Sequence, residues 1–336
     1  MLYKRKIISK LILISFIFIL LFNGSACKSD IPPLNKIKVH SDFSVNFLDV
    51  GQGDCIFIRL PDRKNMLIDC GINDYYGENI KYIKSLLKAY NVSKIDYFVL
   101  THPDVDHIGN AYDIINTISI GKMYLPYIHK AIMQNFNEFL NVLNLIEQKQ
   151  IDYEISDITK SIVGNNYFFA FLSPLELTNS KSSYNTILQN QIPTDKDINN
   201  LSPIIYFECF SQRFIFTGDA GIDQERLVIN NYQAGVYDLY HKNTGISVNL
   251  ENIEYLKVSH HGSVDASSYN FLNLLNPSNA IISVGNENFY GHPASETLLR
   301  LSETCPSHNL FRTDMLGTIT VYRENGVIKI TSSKEK

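Results

Sequence analysis

Residues 95–109 read Ile95-Asp96-Tyr97-Phe98-Val99-Leu100-Thr101-His102-Pro103-Asp104-Val105-Asp106-His107-Ile108-Gly109. The aromatic and β-branched residues of the first part predict a buried strand, and the Pro and Gly indicate a turn around the polar part. That polar part holds two histidines and two aspartates within six positions: His102, Asp104, Asp106 and His107. Imidazole nitrogen and carboxylate oxygen suit zinc, with manganese or iron as competitors, so the segment predicts a metal site. The alternative is a solvated loop in which Asp106 only caps the next helix.

The rest of the chain predicts alternating strands and helices around this segment. Apart from the strand at 95–100, strands are predicted at residues 43–49, 55–60, 65–69, 122–125, 167–172, 203–210, 213–217, 253–258, 280–284, 317–323 and 327–331. Helical spacing predicts helices at residues 78–90, 111–117, 131–150, 268–275 and 295–301, and one that starts at Asp223. The polar residues 175–200 predict a surface loop or insertion, and residues 230–252 a loop with one short helix. This order fits the α/β (α+β) class, as two sheets packed together with helices outside.

Three further polar clusters follow predicted strands. Asp219 stands where the strand at 213–217 ends and can bridge two metal ions, although a turn or helix-capping role is the alternative. His260 and His261 follow the strand at 253–258, and because adjacent strand residues point to opposite sides, we expect only one to bind metal. His292, between Gly and Pro, is the weakest candidate, since such a histidine is most often a loop residue.

A secretory signal is predicted at residues 1–27. A basic start precedes an apolar stretch of about a dozen residues, whereas a membrane span needs about 20. The small residues before Cys27 resemble the lipobox of bacterial lipoproteins, in which the cysteine is lipidated, but Gly24 stands where leucine is usual. An uncleaved anchor or ordinary secretory cleavage are the alternatives. All three versions place the globular part outside the cytoplasm. With the lipid or the uncleaved anchor, it is attached to the membrane.

Composition restricts the possible partners. Residues 1–26 hold four of the 30 basic residues and none of the 34 acidic ones, which leaves 26 against 34 and a net charge of −8. A polyanion-binding protein usually carries a basic face, so a nucleic-acid or teichoic-acid substrate must be drawn by the metals and a local patch. Cys55, Cys70 and Cys209 lie in or beside apolar segments and are predicted to be buried thiols rather than disulfides or metal ligands. Nothing in the sequence indicates a protein partner.

The ordered set of motifs resembles the metallo-β-lactamase superfamily and, within it, the hydrolase-like domain of ComEC-type competence proteins. The motifs are residues 47–54 (FLDVGQGD), 67–69 (LID), 102–107 (HPDVDH), 217–219 (TGD), 257–263 (KVSHHGS) and 291–293 (GHP). The resemblance implies a four-layer αββα sandwich of two mixed sheets at residues 42–334, after a linker at 28–41. The aspartate at position 104, where the wider superfamily has histidine, is typical of the ComEC-like branch. A superfamily histidine expected before Asp219 has no clear counterpart, because His129 lies in a different context.

The resemblance also implies the role of each site residue. His102 and Asp104 would bind one divalent ion, Asp106 and His107 the other, with Asp219 bridging and His261 (or His260) completing the second; zinc or manganese is expected. Asp69 would support the site. Asp106, His260 and His292 are the candidate catalytic residues, and Gln52, Asp54 and Ser263 the candidate substrate-binding residues. The alternative for several of these is that they are scaffold turns that shape the rim.

These roles predict a metal-dependent hydrolase, because two divalent ions can activate a shared water and stabilise an oxyanion. The leading hypothesis is a secreted, membrane-anchored phosphodiesterase, most plausibly a nuclease that acts on DNA. A hydrolase of choline phosphate or other cell-wall esters is the first alternative, and the site chemistry also permits a lactone or β-lactam substrate. A catalytically silent metal-binding or nucleic-acid-binding module is the alternative from another class, motivated by the missing histidine.

Overall fold

The computed structural model describes residues 39–40, 42–185, 193–305 and 309–334. The predicted signal, Cys27 and nearly all of the predicted linker lie outside these ranges. Among the helices within them, none combines the length and the apolar character that crossing a bilayer requires.

The first sheet is built from both ends of the described chain. Its strands are β1 (Ser44–Phe47), β2 (Ile56–Arg59), β3 (Asn65–Ile68), β4 (Lys94–Val99), β5 (Ser119–Leu125), β6 (Asp152–Ile155), β14 (Ile319–Glu324) and β15 (Val327–Ser332). They lie in the order β15-β14-β1-β2-β3-β4-β5-β6. Pairing is antiparallel from β15 to β3 and parallel from β3 to β6.

The second sheet repeats this arrangement with the middle of the chain. Its strands are β7 (Ser161–Gly164), β8 (Tyr167–Phe171), β9 (Ile205–Cys209), β10 (Gln212–Phe216), β11 (Tyr255–Lys257), β12 (Asn279–Ile282) and β13 (Leu310–Arg312). They lie in the order β13-β12-β11-β10-β9-β8-β7. Pairing is antiparallel from β7 to β10 and parallel from β10 to β13. Both sheets are therefore mixed, as expected.

Helices flank the two sheets. They are α1 (Glu78–Ala89), α2 (Val105–Ile108), α3 (Ala111–Thr117), α4 (Lys130–Met133), α5 (Asn137–Gln148), α6 (Asp195–Asn199), α7 (Ile222–Gln233), α8 (Asp238–Thr244), α9 (Tyr269–Leu275), α10 (Ser295–Thr304) and α11 (Thr313–Leu316). A 3₁₀ turn covers Ser259–Gly262.

Three cores define four layers. Because strand side chains alternate, Ile56 and Ile58 of β2 join the core between the sheets, while Phe57 joins the core under α1, α3 and α5. The third core packs α7, α8, α9 and α10 on the outer face of the second sheet. The predicted αββα sandwich is thus confirmed.

Some predicted elements differ from the structure. The predicted helix at 131–150 is two helices, α4 and α5, since Phe136 between them has non-helical backbone. Residues 230–252 contain more helix than expected, because α7 continues to Gln233 and α8 follows. Strands β6, β7 and β13 were not predicted, because β6 and β7 are partly exposed edge strands without an apolar run and β13 has only three residues. Cys55, Cys70 and Cys209, predicted to be buried thiols, are buried and form no disulfide within the described residues. Cys305 is buried as well.

Candidate metal centre

The sequence-predicted metal ligands meet where the parallel strands of both sheets end. His102 follows β4, and α2 carries Asp106 and His107. From the second sheet, Asp219 follows β10 and His261 follows β11, which are neighbours. The two sheets therefore contribute ligands from opposite sides to one cluster.

Gly53 allows the loop between β1 and β2, residues 48–55, to approach this cluster. Its φ of +133° is a conformation that side-chain-bearing residues rarely adopt, and a Cβ there would stand 2.2 Å from the Asp106 carbonyl oxygen. The next amide, Asp54 N, donates to that same oxygen over 3.2 Å. A larger residue at position 53 would push the loop away from the metal-ligand segment.

Asp69 supports the cluster from beneath, as the resemblance implied. Its buried carboxylate accepts hydrogen bonds from the Thr101 amide over 2.8 Å, the Thr101 hydroxyl over 2.7 Å and His107 Nδ1 over 2.8 Å. Because a carboxylate only accepts, His107 must carry its proton on Nδ1 and directs Nε2 towards the centre.

His261 is oriented in the same way from the second sheet. Its Nδ1 donates to the Ser283 carbonyl oxygen over 2.8 Å, so Nε2 is the atom that faces the cluster. The Nε2 atoms of His107 and His261 stand 3.3 Å apart. In their neutral forms both present lone pairs to the same small volume, and that arrangement is favourable only with a cation nearby.

His102 presents a third such nitrogen. Its Nδ1 lies 3.0 Å from the Thr101 hydroxyl oxygen and 3.1 Å from the Ser202 hydroxyl oxygen. Its buried Nε2 has no hydrogen-bond partner among the described residues and lies 3.6 Å from Asp104 Oδ2 and 3.9 Å from Asp219 Oδ2.

Asp219 lies between the imidazoles. Its Oδ1 is 3.3 Å from His107 Nε2, and its Oδ2 is 3.5 Å from His261 Nε2. Asp106 Oδ2 lies 3.4 Å from His261 Nε2 and 4.0 Å from His107 Nε2. The described residues contain three overlapping donor groups: His102, His107 and Asp219; Asp106, His107 and His261; and Asp54, Asp69 and His107. The unpartnered buried atoms and the mixed nitrogen and oxygen donors fit divalent ions.

The charges of the cluster shift the pKa values of His107 and Asp219 so that the ionised form of each is favoured. Burial by itself lowers the pKa of His107, but the carboxylates of Asp219, Asp106 and Asp69 outweigh it and raise that pKa well above its ordinary value. Burial likewise opposes ionisation of Asp219, yet His261 and His107 hold its pKa well below the usual range. The cluster is therefore an anionic cavity that holds either protons or metal cations.

The prediction that His260 and His261 point to opposite sides is wrong. Both residues lie in the 3₁₀ turn with positive φ, 48° and 53°, rather than in a strand, so strand alternation does not apply. His260 Nε2 lies 3.6 Å from Asp219 Oδ2, about as close as His261. Among the donor groups found in the described chain, however, only His261 takes part.

Two of the predicted rim residues lie beside the cluster. The ring of His292 is 5.3 Å from that of His260, and burial, followed by the charges of His260 and His261, lowers the pKa of His292 to about 4. Gln52 is half-buried, and its Oε1 accepts from the Gly285 amide over 3.2 Å.

Asp54 and Ser263, predicted to bind substrate, are buried instead. The Asp54 carboxylate pairs with Lys257 Nζ over 2.5 Å, and the Ser263 carbonyl oxygen accepts from the Thr297 hydroxyl over 2.8 Å. Asp54 Oδ1 also lies 3.7 Å from His261 Nδ1, so this carboxylate borders the cluster.

Lys257 is a site residue that sequence reasoning missed. It is buried, and its Nζ also donates to the Gly218 carbonyl oxygen over 3.0 Å and lies 4.0 Å from Asp219 Oδ1. A lysine inside the apolar strand at 253–258 was the available signal, because a buried lysine requires a partner.

The comparisons with known proteins agree with this geometry. Residues 48–166 match the family model of the metallo-beta-lactamase superfamily. Together with the donor groups of the site, this match supports a metal-dependent hydrolase.

Competence proteins are among its relatives. The chain is 27% identical over 300 residues to ComE operon protein 3 of Bacillus subtilis, which covers 85% of this chain and 34% of that protein. It is 24% identical over 289 residues to competence protein ComA of Neisseria gonorrhoeae, covering 86% and 33% respectively. The chain therefore spans about a third of the length of these relatives.

Solved structures give more distant matches. The metallo-beta-lactamase fold protein YhfI of Bacillus subtilis has a TM-score of 0.45 at 9% identity, covering 86% of this chain and 100% of that one. Igni18, a metallo hydrolase of Ignicoccus hospitalis, has a TM-score of 0.44 at 16% identity, covering 86% and 99%.

Proposed function

We propose that the chain is a phosphodiesterase that uses two divalent ions, zinc or manganese, and that its substrate is DNA. The observation that carries the proposal is the convergence of three Nε2 atoms, from His102, His107 and His261, on the carboxylate of Asp219. His102 and Asp104 would hold one ion and Asp106, His107 and His261 the other, with Asp219 between them. When bound, such ions lower the pKa of a shared water and stabilise the charge that develops on the phosphate.

The side chains around the ions orient the reaction. Asp69 keeps the Nδ1 proton of His107 in place, so that Nε2 stays a lone-pair donor. With a pKa near 4, His292 is neutral at neutral pH, and neighbouring cations would lower that pKa further. This favours a hydrogen-bonding role for His292 over proton donation to a leaving group. Burial lowers the pKa of His260 as well, which leaves proton transfer to water.

DNA is proposed because of the ComEC-type motif set and because both curated relatives named above are competence-operon or competence proteins. We further propose that residues 42–334 form the hydrolase domain and that Cys27 anchors it outside the cytoplasm. Replacing Cys27 with Ser should release the protein from the membrane fraction into the medium or periplasm. Unchanged fractionation would exclude lipidation as the anchor.

The activity test uses the purified full chain with manganese or zinc and labelled single- or double-stranded DNA. Asp219→Asn should abolish cleavage, whereas Asp238→Asn, an exposed position on α8, should leave it unchanged. Intact DNA with every metal, alongside cleavage of choline phosphate esters or another phosphodiester, would redirect the assignment. Fewer than about one bound ion per chain, together with no hydrolysis of a bis-aryl phosphodiester, would favour the silent binding module.

A further inference from the structure

Four large aromatic side chains project into solvent from two loops near the metal centre. Phe289 and Tyr290 are 104% and 72% exposed, and Tyr75 and Tyr76 are 94% and 64% exposed. Single exposed apolar residues are ordinary, but pairs of aromatic rings on neighbouring loops indicate a contact surface. We call these four residues the aromatic rim.

One half of the aromatic rim connects to the metal centre through a row of rings. Tyr290 stacks on His292 at a centroid distance of 5.7 Å and an interplanar angle of 23°. His292 meets His260 edge-on at 5.3 Å, and His260 Nε2 lies 3.6 Å from Asp219 Oδ2. A group that contacts Tyr290 is therefore two rings away from the Asp219 carboxylate.

The other half belongs to the same side of the molecule. Asn79 Nδ2 donates to the Val50 carbonyl oxygen over 2.9 Å and to the Ile72 carbonyl oxygen over 3.1 Å, which ties the loop of Tyr75 and Tyr76 to the loop at residues 50–54. That loop in turn holds Gly285 through Gln52, at the start of the segment that carries Phe289. The three loops thus form one continuous border beside the cluster.

The charge of these loops limits what they can bind. Residues 72–77 and 285–293 contain an aspartate and a glutamate but no lysine or arginine. Lys81 Nζ donates to the Tyr76 carbonyl oxygen over 3.1 Å, but it is paired with Glu78 Oε1 at 2.8 Å. A groove that follows a phosphate backbone, or a surface that binds anionic lipid, needs basic residues. A flat, uncharged ring is a ligand that such loops can bind. Nucleic-acid bases expose the faces of their rings only when they are not stacked in a duplex.

We propose that the aromatic rim binds the bases of a single-stranded nucleic acid by stacking, while the adjoining phosphodiester lies at the metal centre. The inference rests on the proposed function, because the metal centre supplies the phosphate contact. Stacking on an aromatic side chain contributes about 1–3 kcal/mol per base, and it requires no basic surface. The site therefore selects unpaired strands over duplexes.

The absence of tryptophan from the sequence gives a direct test. Phe289→Trp in the full chain introduces a single tryptophan, whose fluorescence a stacked base should quench. The titration is done in manganese, so that the phosphate contact is present, with phosphorothioate oligonucleotides that resist cleavage: a single strand, the matching duplex and an abasic strand of equal length. We expect quenching by the single strand and little by the other two.

Alanine substitutions give the second measurement. Phe289→Ala with Tyr290→Ala should weaken single-strand binding by about five- to 150-fold for each stacked base lost. Tyr75→Ala with Tyr76→Ala should weaken it similarly. The control is Tyr153→Ala, a 41% exposed tyrosine on the edge strand β6, which should bind as the unchanged protein does.

Equal quenching by the abasic strand, or unchanged affinity in the alanine variants, overturns the proposal. Binding to anionic phospholipid vesicles that is lost in the alanine variants, without quenching by DNA, overturns it in favour of a membrane contact. The proposed function fails separately: base-dependent quenching without DNA hydrolysis in manganese or zinc keeps the aromatic rim but refutes the nuclease, and hydrolysis without quenching does the reverse.

Discussion

Replacing Lys257 with Met should destabilise the protein more than any surface substitution of a lysine. The ammonium group lies 2.5 Å from Asp54 Oδ2 and 3.0 Å from the Gly218 carbonyl oxygen, and both side chains of the ion pair are almost completely excluded from solvent. Methionine has a similar volume and no charge. The variant therefore leaves the Asp54 carboxylate buried without its cation.

The magnitude follows from this geometry. At 2.5 Å and an effective dielectric constant of about 20, the attraction between two unit charges is about 7 kcal/mol. The cost of removing both charges from water offsets much of this, whereas deleting one partner leaves the other unpaired and costs about 3–5 kcal/mol. We expect that loss for Lys257→Met, and a smaller loss for the double variant Asp54→Asn with Lys257→Met.

Urea unfolding in EDTA measures the free energy of unfolding without a contribution from bound metal. Lys329→Met is the matched control, because the pair of Lys329 Nζ with Glu324 Oε2 is nearly as close, at 2.7 Å, but exposed. That control should lose less than about 1 kcal/mol. The reasoning fails if Lys257→Met also loses less than about 1 kcal/mol, or if the double variant loses the full sum of the two single ones.

Three further predictions follow from the same contacts. Asp219→Ala should remove at least one bound divalent ion per chain, measured by metal analysis after dialysis, and an unchanged metal content would exclude Asp219 as a ligand. Phe139→Ala, which opens a cavity in the core under α5, should cost about 3–5 kcal/mol of unfolding free energy in urea; a loss below about 1 kcal/mol would contradict this packing. Asp74→Ala should cost about 1 kcal/mol, because its carboxylate accepts the amides of Glu78 and Asn79 at the start of α1. Partial burial opposes ionisation of Asp74, but these hydrogen bonds outweigh it and lower the pKa of the carboxyl group. The contribution of Asp74 to stability is therefore complete above the usual carboxyl pKa of about 3.9 and is lost as the pH falls through the lowered pKa. Equal losses of unfolding free energy for Asp74→Ala at pH 7 and pH 2.5 would contradict this reasoning.

The local pattern was sufficient for most of the fold. The side chains of strand β2 enter two different cores in turn, so both of its faces are buried and consecutive residues are apolar. Such a run of apolar residues can be recognised in a short stretch of sequence. Edge strands such as β6 were missed because half of their residues face water and carry no apolar signal. The break between α4 and α5 also depends on packing that no short window contains.

The candidate site also has a part that the sequence predicts and a part that only the structure shows. The ligand types and the density of polar residues at 102–107 are local properties, and they are sufficient to predict a metal centre. The ion pair of Lys257 with Asp54 is not a local property, because about 200 positions separate the two residues. It forms only when the two sheets pack together. The shared direction of His260 and His261 likewise depends on left-handed backbone that the turn imposes.

The sequence by itself determined the alternating strands, the kind of chemistry and the residues that supply it, because burial and ligand identity are written in short-range pattern. Only the tertiary structure decided which nitrogen of each histidine faces the centre, which carboxylates are neutralised beneath it and which aromatic rings border it. Those properties arise from contacts such as His107 with His261, whose Nε2 atoms meet at 3.3 Å across the two sheets. The separation of two residues along the chain does not determine such a distance, because the distance is set by how the two sheets pack together.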